Sequence, residues 1–102
     1  MSEKEQVIGQ ILEALKTEPL KSTIKKAALF GSYLNGQEKN NSDIDILVEL
    51  NPKIRIGLFK FAAMERILSE RLGKKVDLLT SEALSKYFRD QVLEEAEVIY
   101  EK

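Results

Sequence analysis

The sequence predicts an α/β (α+β) domain, a small mixed β-sheet flanked by about four helices. Three observations predict it. Two short apolar runs of strand character, Ile24 to Phe30 and Asp43 to Glu49, are separated by a polar, glycine-containing stretch. A segment of helical periodicity, Gly57 to Leu72, then leads directly into a third run, Lys74 to Leu79. A helix between two strands is the connection a parallel pair requires, so the sheet must be mixed if the first two strands are antiparallel. The 102 residues form one domain, 1–102, a length that buries roughly 60–65% of the unfolded surface.

Composition narrows the chemistry. There is no cysteine and no histidine, which excludes disulfides, thiolate nucleophiles and imidazole as base or metal ligand. Catalysis must rest on carboxylates, hydroxyls, Lys, Arg and Tyr. A formal net charge of −1 gives no whole-molecule attraction to nucleic acid. No apolar run nears the roughly 20 residues that span a bilayer. Ser2-Glu3-Lys4-Glu5-Gln6 is too polar to open a secretory signal, so a soluble, cytoplasmic protein is expected. No repeat or low-complexity segment interrupts it.

In chain order, Ser2 and Glu5 match a capping box, and Ile8, Ile11, Leu12 and Leu15 recur at helical spacing, predicting a helix from Glu3 to Lys16. Pro19 lies just beyond it. Ile24 to Phe30 is a mostly buried strand that runs into Gly31 and Ser32. Ser32 suits the N-cap of a short turn through Tyr33 and Leu34, and Gln37 to Ser42 is a polar loop. From Asp43 to Glu49 the strand period places Ile44, Ile46 and Val48, with Leu50 beyond, on one face. Asp43, Asp45, Leu47 and Glu49 fall on the other. Asn51-Pro52 ends it. The helix over 57–72 carries Leu58, Phe61, Met64, Leu68 and Leu72 as its apolar stripe, with Gly73 closing its C-terminus. Thr80 or Ser81 caps a last helix with Leu84, Phe88, Val92 and Ile99 among its apolar positions; spacing does not decide whether Glu97 to Glu101 continues it or forms a strand. One helix face cannot bury Ile54, Ile56, Leu58, Phe59 and Phe61 together, so some either meet a partner chain or cover the sheet edge.

The candidate site begins at Gly31-Ser32 and the pair Asp43 and Asp45. A glycine lets the backbone approach a ligand closely, and free N–H groups in the following turn favour an anion. The two aspartates project side by side. At about 4 Å their repulsion is roughly 1 kcal/mol in water and about 4 at an effective dielectric of 20, so the pair calls for a cation or a raised pKa. For these residues to share a ligand, the end of the first strand must lie beside the start of the second, which makes the pair antiparallel. Asp77, mid-strand among apolar residues, becomes a third oxygen donor if its strand lies beside the second, giving ligands for one or two Mg²⁺ ions. Gly31-Ser32 alone is more often a plain turn and helix cap, and Asp43 alone a strand-start residue bonded to its own loop, but neither reading accounts for Asp45 or Asp77. Lys74, Lys75, Arg55 and Lys60 are surface charges first.

Together Gly31-Ser32, Ser42-Asp43-Ile44-Asp45-Ile46-Leu47-Val48 and Val76-Asp77-Leu78-Leu79-Thr80 resemble the nucleotidyltransferase superfamily of the DNA polymerase β type. Within it, the size and element order are similar to the minimal nucleotidyltransferase (MNT) antitoxins. The resemblance covers nearly the whole chain and implies the nucleotidyltransferase fold. It implies transfer of AMP from ATP, with Gly31 and Ser32 on the β- and γ-phosphates. Asp43, Asp45 and Asp77 would hold Mg²⁺, two ions in all, and Asp77 would assist deprotonation of the acceptor. It further implies a HEPN-type toxin as partner, modified on a tyrosine, in a homo- or hetero-oligomer. Two alternatives stand beside this: an antitoxin that neutralises by binding alone, and transfer to a small molecule. The chain departs from relatives with GSxARG in having Leu34-Asn35-Gly36, which removes an arginine contact to phosphate.

Overall fold

In the computed structural model, which describes residues 2–31 and 43–102 but not the Phe88 side chain, Ser2 starts the first helix as its capping box requires. Its Oγ accepts from the Glu5 N–H at 3.1 Å and donates to the Glu5 carboxylate at 3.2 Å. Helix α1 (Glu3–Leu15) is followed by a single turn not expected from the sequence, α2 (Leu20–Thr23), which begins directly after Pro19. Strand β1 (Ile24–Phe30) has the bounds read from its apolar run, and β2 (Ile44–Leu50) starts one residue later than expected. Helix α3 (Leu58–Leu72) is closed by Gly73 at φ +68°, whose N–H donates to the Ser69 carbonyl at 2.9 Å. Strand β3 (Val76–Leu79) comes next.

The expected last helix is not continuous. A 3₁₀ turn, Ser81–Ala83, precedes α4 (Lys86–Glu95), and the chain then forms a fourth strand, β4 (Glu97–Glu101). Ile99 therefore belongs to a strand and not to the helix. Leu84 is extended (ψ 143°), and Ser85, not Thr80 or Ser81, caps α4 by accepting from the Tyr87 N–H. Arg89 pins the break by donating to the Leu84 carbonyl at 3.0 Å. Val98, Ile99 and Tyr100 favour a pleated, half-buried surface, which decides for strand where the spacing was neutral.

The sheet order is β3-β2-β1-β4. β1 is antiparallel to β2 and to β4, whereas β2 and β3 are parallel across the α3 crossover. One face of the sheet, with Ala27, Leu29, Ile44, Ile46, Val48, Val76 and Leu78, joins Val7, Ile11, Ala14 and Leu15 of α1 and Met64, Leu68 and Leu72 of α3 in a single core. Ile56 and Phe61 pack against that core, whereas Leu58 and Phe59 stand 83% and 95% exposed. The stripe expected on α3 is thus corrected at Leu58. Among the described residues, no helix is long and apolar enough to cross a membrane.

Thr23, at the α2–β1 junction, is fully buried, and among the described residues its hydroxyl has no hydrogen-bond partner. An unpaired buried hydroxyl is destabilising. Thr23→Val should therefore raise stability by about 1 kcal/mol, seen as a Tm higher by roughly 4–8 °C; a lower Tm would mean the hydroxyl is solvated or bonded in solution.

Candidate active site

The register of the sheet assembles the site. Phe30, the last residue of β1, lies opposite Asp45 of β2, and Asp45 lies opposite Asp77 of β3. Partners in a parallel register project to the same face, so the Asp45 and Asp77 side chains stand next to each other on the side away from the core. Asp43 is exposed, one residue before β2, and its charge acts on Asp45. Ser32, with the Tyr33-Leu34 turn and the Gln37 to Ser42 loop, lies outside the described residues.

Gly31 closes the site from the β1 side. Its φ of +83° suits only glycine, and a Cβ there would lie 2.5 Å from Asp45 Oδ2 and 3.3 Å from its Cγ. The carboxylate of Asp45 thus rests against bare backbone. Burial pushes its pKa up, and the charges of Asp77 and then Asp43 push the same way, while Lys75 opposes them. Lys75 Nζ sits 4.0 Å from Asp77 Oδ1, a contact the sequence signals only through the i, i+2 spacing of the two residues. Lys74 is instead paired with Glu3 at 3.1 Å, joining β3's entry to α1.

A half-buried, mutually repelling set of carboxylates is chemically suited to a hard cation. Among the described residues, however, no group of three or more acidic side chains forms a metal cage by itself. Mg²⁺ in general takes one or two carboxylates and completes its shell with water and substrate phosphates. A groove of about 410 Å³ opens along the same face. Ala28 and Leu47, register partners, line it together with Thr80, Glu82 and Leu93. Leu47 is two residues beyond Asp45 on one strand, so the groove begins about 7 Å from the carboxylates.

Adjacent aspartates on neighbouring strands of an α/β sheet, beside a close-approach glycine, are an arrangement that metal-assisted transfer of a phosphorus group can use. The nucleotidyltransferase domain of polymerase beta matches residues 9–102. This chain belongs to that family and is a nucleotidyltransferase. The protein adenylyltransferase MntA of Thermococcus cleftensis is 36% identical over 77 residues, 76% of this chain and 74% of its own length. MJ1217 of Methanocaldococcus jannaschii, whose adenylyltransferase name is provisional, is 35% identical over 100 residues, 98% of this chain and 96% of its own. In fold, the chain is similar to one chain of a solved toxin–antitoxin structure with AMP-PNP, with a TM-score of 0.74 at 24% identity, covering 93% of this chain and 73% of that one.

Two outcomes are expected at the site. Gly31→Ala forces a clash with Asp45 and an unfavourable φ, lowering stability by about 1–3 kcal/mol in thermal unfolding and weakening ATP binding in calorimetry; a variant unchanged in both would show that the turn has room. Asp45 holds its proton more tightly in the folded chain than in the unfolded one, so ionising it as pH rises removes stability. Asp45→Asn should accordingly raise the Tm of the metal-free protein at neutral pH. The difference should close as pH falls toward the ordinary aspartate value near 3.8.

Proposed function

We propose that the chain transfers AMP from ATP to a hydroxyl of a HEPN-type protein, a tyrosine, and thereby acts as its antitoxin. The observation that carries this reading is the placement of Asp45 and Asp77 in register on one sheet face, with Gly31 against Asp45. The name of the Thermococcus relative, a protein adenylyltransferase, supports a protein acceptor. A chain similar in fold, with a TM-score of 0.69 at 20% identity, comes from a complex of a tri-AMPylated Shewanella oneidensis HEPN toxin with its MNT antitoxin.

Asp43, Asp45 and Asp77 are the residues that would hold Mg²⁺, which when bound offsets charge on the triphosphate and on the developing transition state. Gly31 leaves the backbone open beside Asp45, where the β- and γ-phosphates would sit, and Ser32, next in the sequence, would share in holding them. The acceptor oxygen forms a bond to the α-phosphorus as the bond to the bridging oxygen breaks and pyrophosphate leaves. Asp77 takes up the hydroxyl proton and releases it to water. With pyrophosphate departing on the Gly31 side, in-line attack brings the acceptor from the opposite side, where the groove over Ala28 and Leu47 has room for it.

The test is transfer of label from α-labelled ATP to a co-expressed HEPN-type partner. Asp45→Asn and Asp77→Asn are each expected to cut transfer by about 10²–10³-fold, the scale of losing one preorganised electrostatic contact to a transition state. Neutralisation of the partner that persists undiminished in the double variant would overturn the need for catalysis and favour binding alone. Labelling of a small hydroxylated compound and not of the partner would replace the acceptor class.

A further inference from the structure

β3 is a strand of four residues that, among the described residues, lies at the sheet edge and pairs with β2 alone. The β2–β3 ladder includes the Ile44 N–H bonded to the Lys75 carbonyl at 2.9 Å. Strand alternation then turns the polar backbone groups of Asp77 toward β2 and the N–H groups of Val76 and Leu78 away from the sheet. An edge like this ordinarily faces solvent or another strand.

Here side chains of α3 take the place of a neighbouring strand. Ser69 Oγ accepts from the Val76 N–H at 3.0 Å and itself donates to the Glu65 carbonyl at 2.9 Å. Glu65 Oε2 accepts from the Leu78 N–H at 2.9 Å. The match is geometric. Residues i and i+4 of a helix are about 6 Å apart along its axis, and residues i and i+2 of a strand about 6.6 Å, so one helix face reaches two successive outward N–H groups. Asp77 is the residue between those two groups.

We propose that Glu65 and Ser69 are positioning residues for Asp77. By gripping the backbone on both sides of it they hold its carboxylate level with that of Asp45, as the nucleotidyl-transfer reading, on which this rests, requires. Their contacts are with the β3 backbone and, for Ser69, the Glu65 carbonyl. Both act through β3. Supporting contacts one step removed from a metal ligand commonly change affinity or activity by about 10–100-fold when lost.

The test compares Glu65→Ala, Glu65→Gln and Ser69→Ala with Ile67→Val, a mild core change on the same helix. Amide hydrogen exchange at Val76 and Leu78, Mn²⁺ affinity in the presence of a non-hydrolysable ATP analogue, and kcat against the Mg²⁺ concentration for half-maximal rate are measured on the full chain. Glu65→Ala is expected to expose the Leu78 amide, weaken Mn²⁺ binding by about tenfold and lower kcat by a similar factor. Glu65→Gln, which still presents an acceptor oxygen, should restore most of both. Ile67→Val should move neither, even if its loss of Tm is equal. Should Glu65→Ala not fold, Ser69→Ala decides on the same readouts through Val76. Exposed amides with unchanged Mn²⁺ affinity would overturn the proposal and leave nucleotidyl transfer standing. Weakened Mn²⁺ binding in a protein whose wild type transfers no nucleotide would uphold the clamp and refute the transfer.

Discussion

The parallel pairing of β2 with β3 is the contact on which the rest of the site depends. Its register sets Asp45 directly beside Asp77, and that adjacency adds charge repulsion to the burial that already raises the pKa of Asp45. The same two strands bury Ile44, Ile46, Val76 and Leu78 on the opposite face. A slip of one residue would carry the aspartates into the core and the aliphatic side chains into the site. The core therefore enforces the register, and the register brings together charges that would otherwise separate. Apolar packing opposes carboxylate repulsion across the thickness of one sheet.

The site is correspondingly asymmetric. On the β1 side, Asp45 is crowded by backbone, with Gly31 leaving no space for a side chain. On the β3 side, Asp77 has a lysine within 4.0 Å. Burial raises the proton affinity of Asp45, so a neutralising ion would relieve it most. Farther along β1 and β2 on the same face lies the groove over Ala28 and Leu47.

Much of this was legible in the residues. The alternation of Ile44-Asp45-Ile46 shows which side chains face water, and the antiparallel β1–β2 pairing follows from asking Gly31 to meet Asp45. The helix between β2 and β3 makes that pair parallel. Legibility failed where periodicity carries no information. In the segment over 80–101, Leu84, Phe88 and Val92 keep a helical spacing across the break at Leu84-Ser85, so neither that break nor the strand at Glu97–Glu101 has a clear signature. Leu58 has the right spacing for the α3 stripe, but it sits at the first position of the helix and is exposed. Glu65 and Ser69 read as ordinary helix-surface residues because a side chain bonded to a strand's backbone leaves no repeat in the sequence.

The central strand β1 has one partner close behind it in the chain and another about seventy positions downstream, since Ala27 meets both Val48 and Tyr100. Closing the shorter loop is entropically easier, so the acidic half of the sheet can assemble while β4 is still unattached. Docking of β4 then completes a scaffold whose reactive end is already formed. Damage to β4 would thus show first as faster unfolding, with the geometry of the folded molecules that remain left intact.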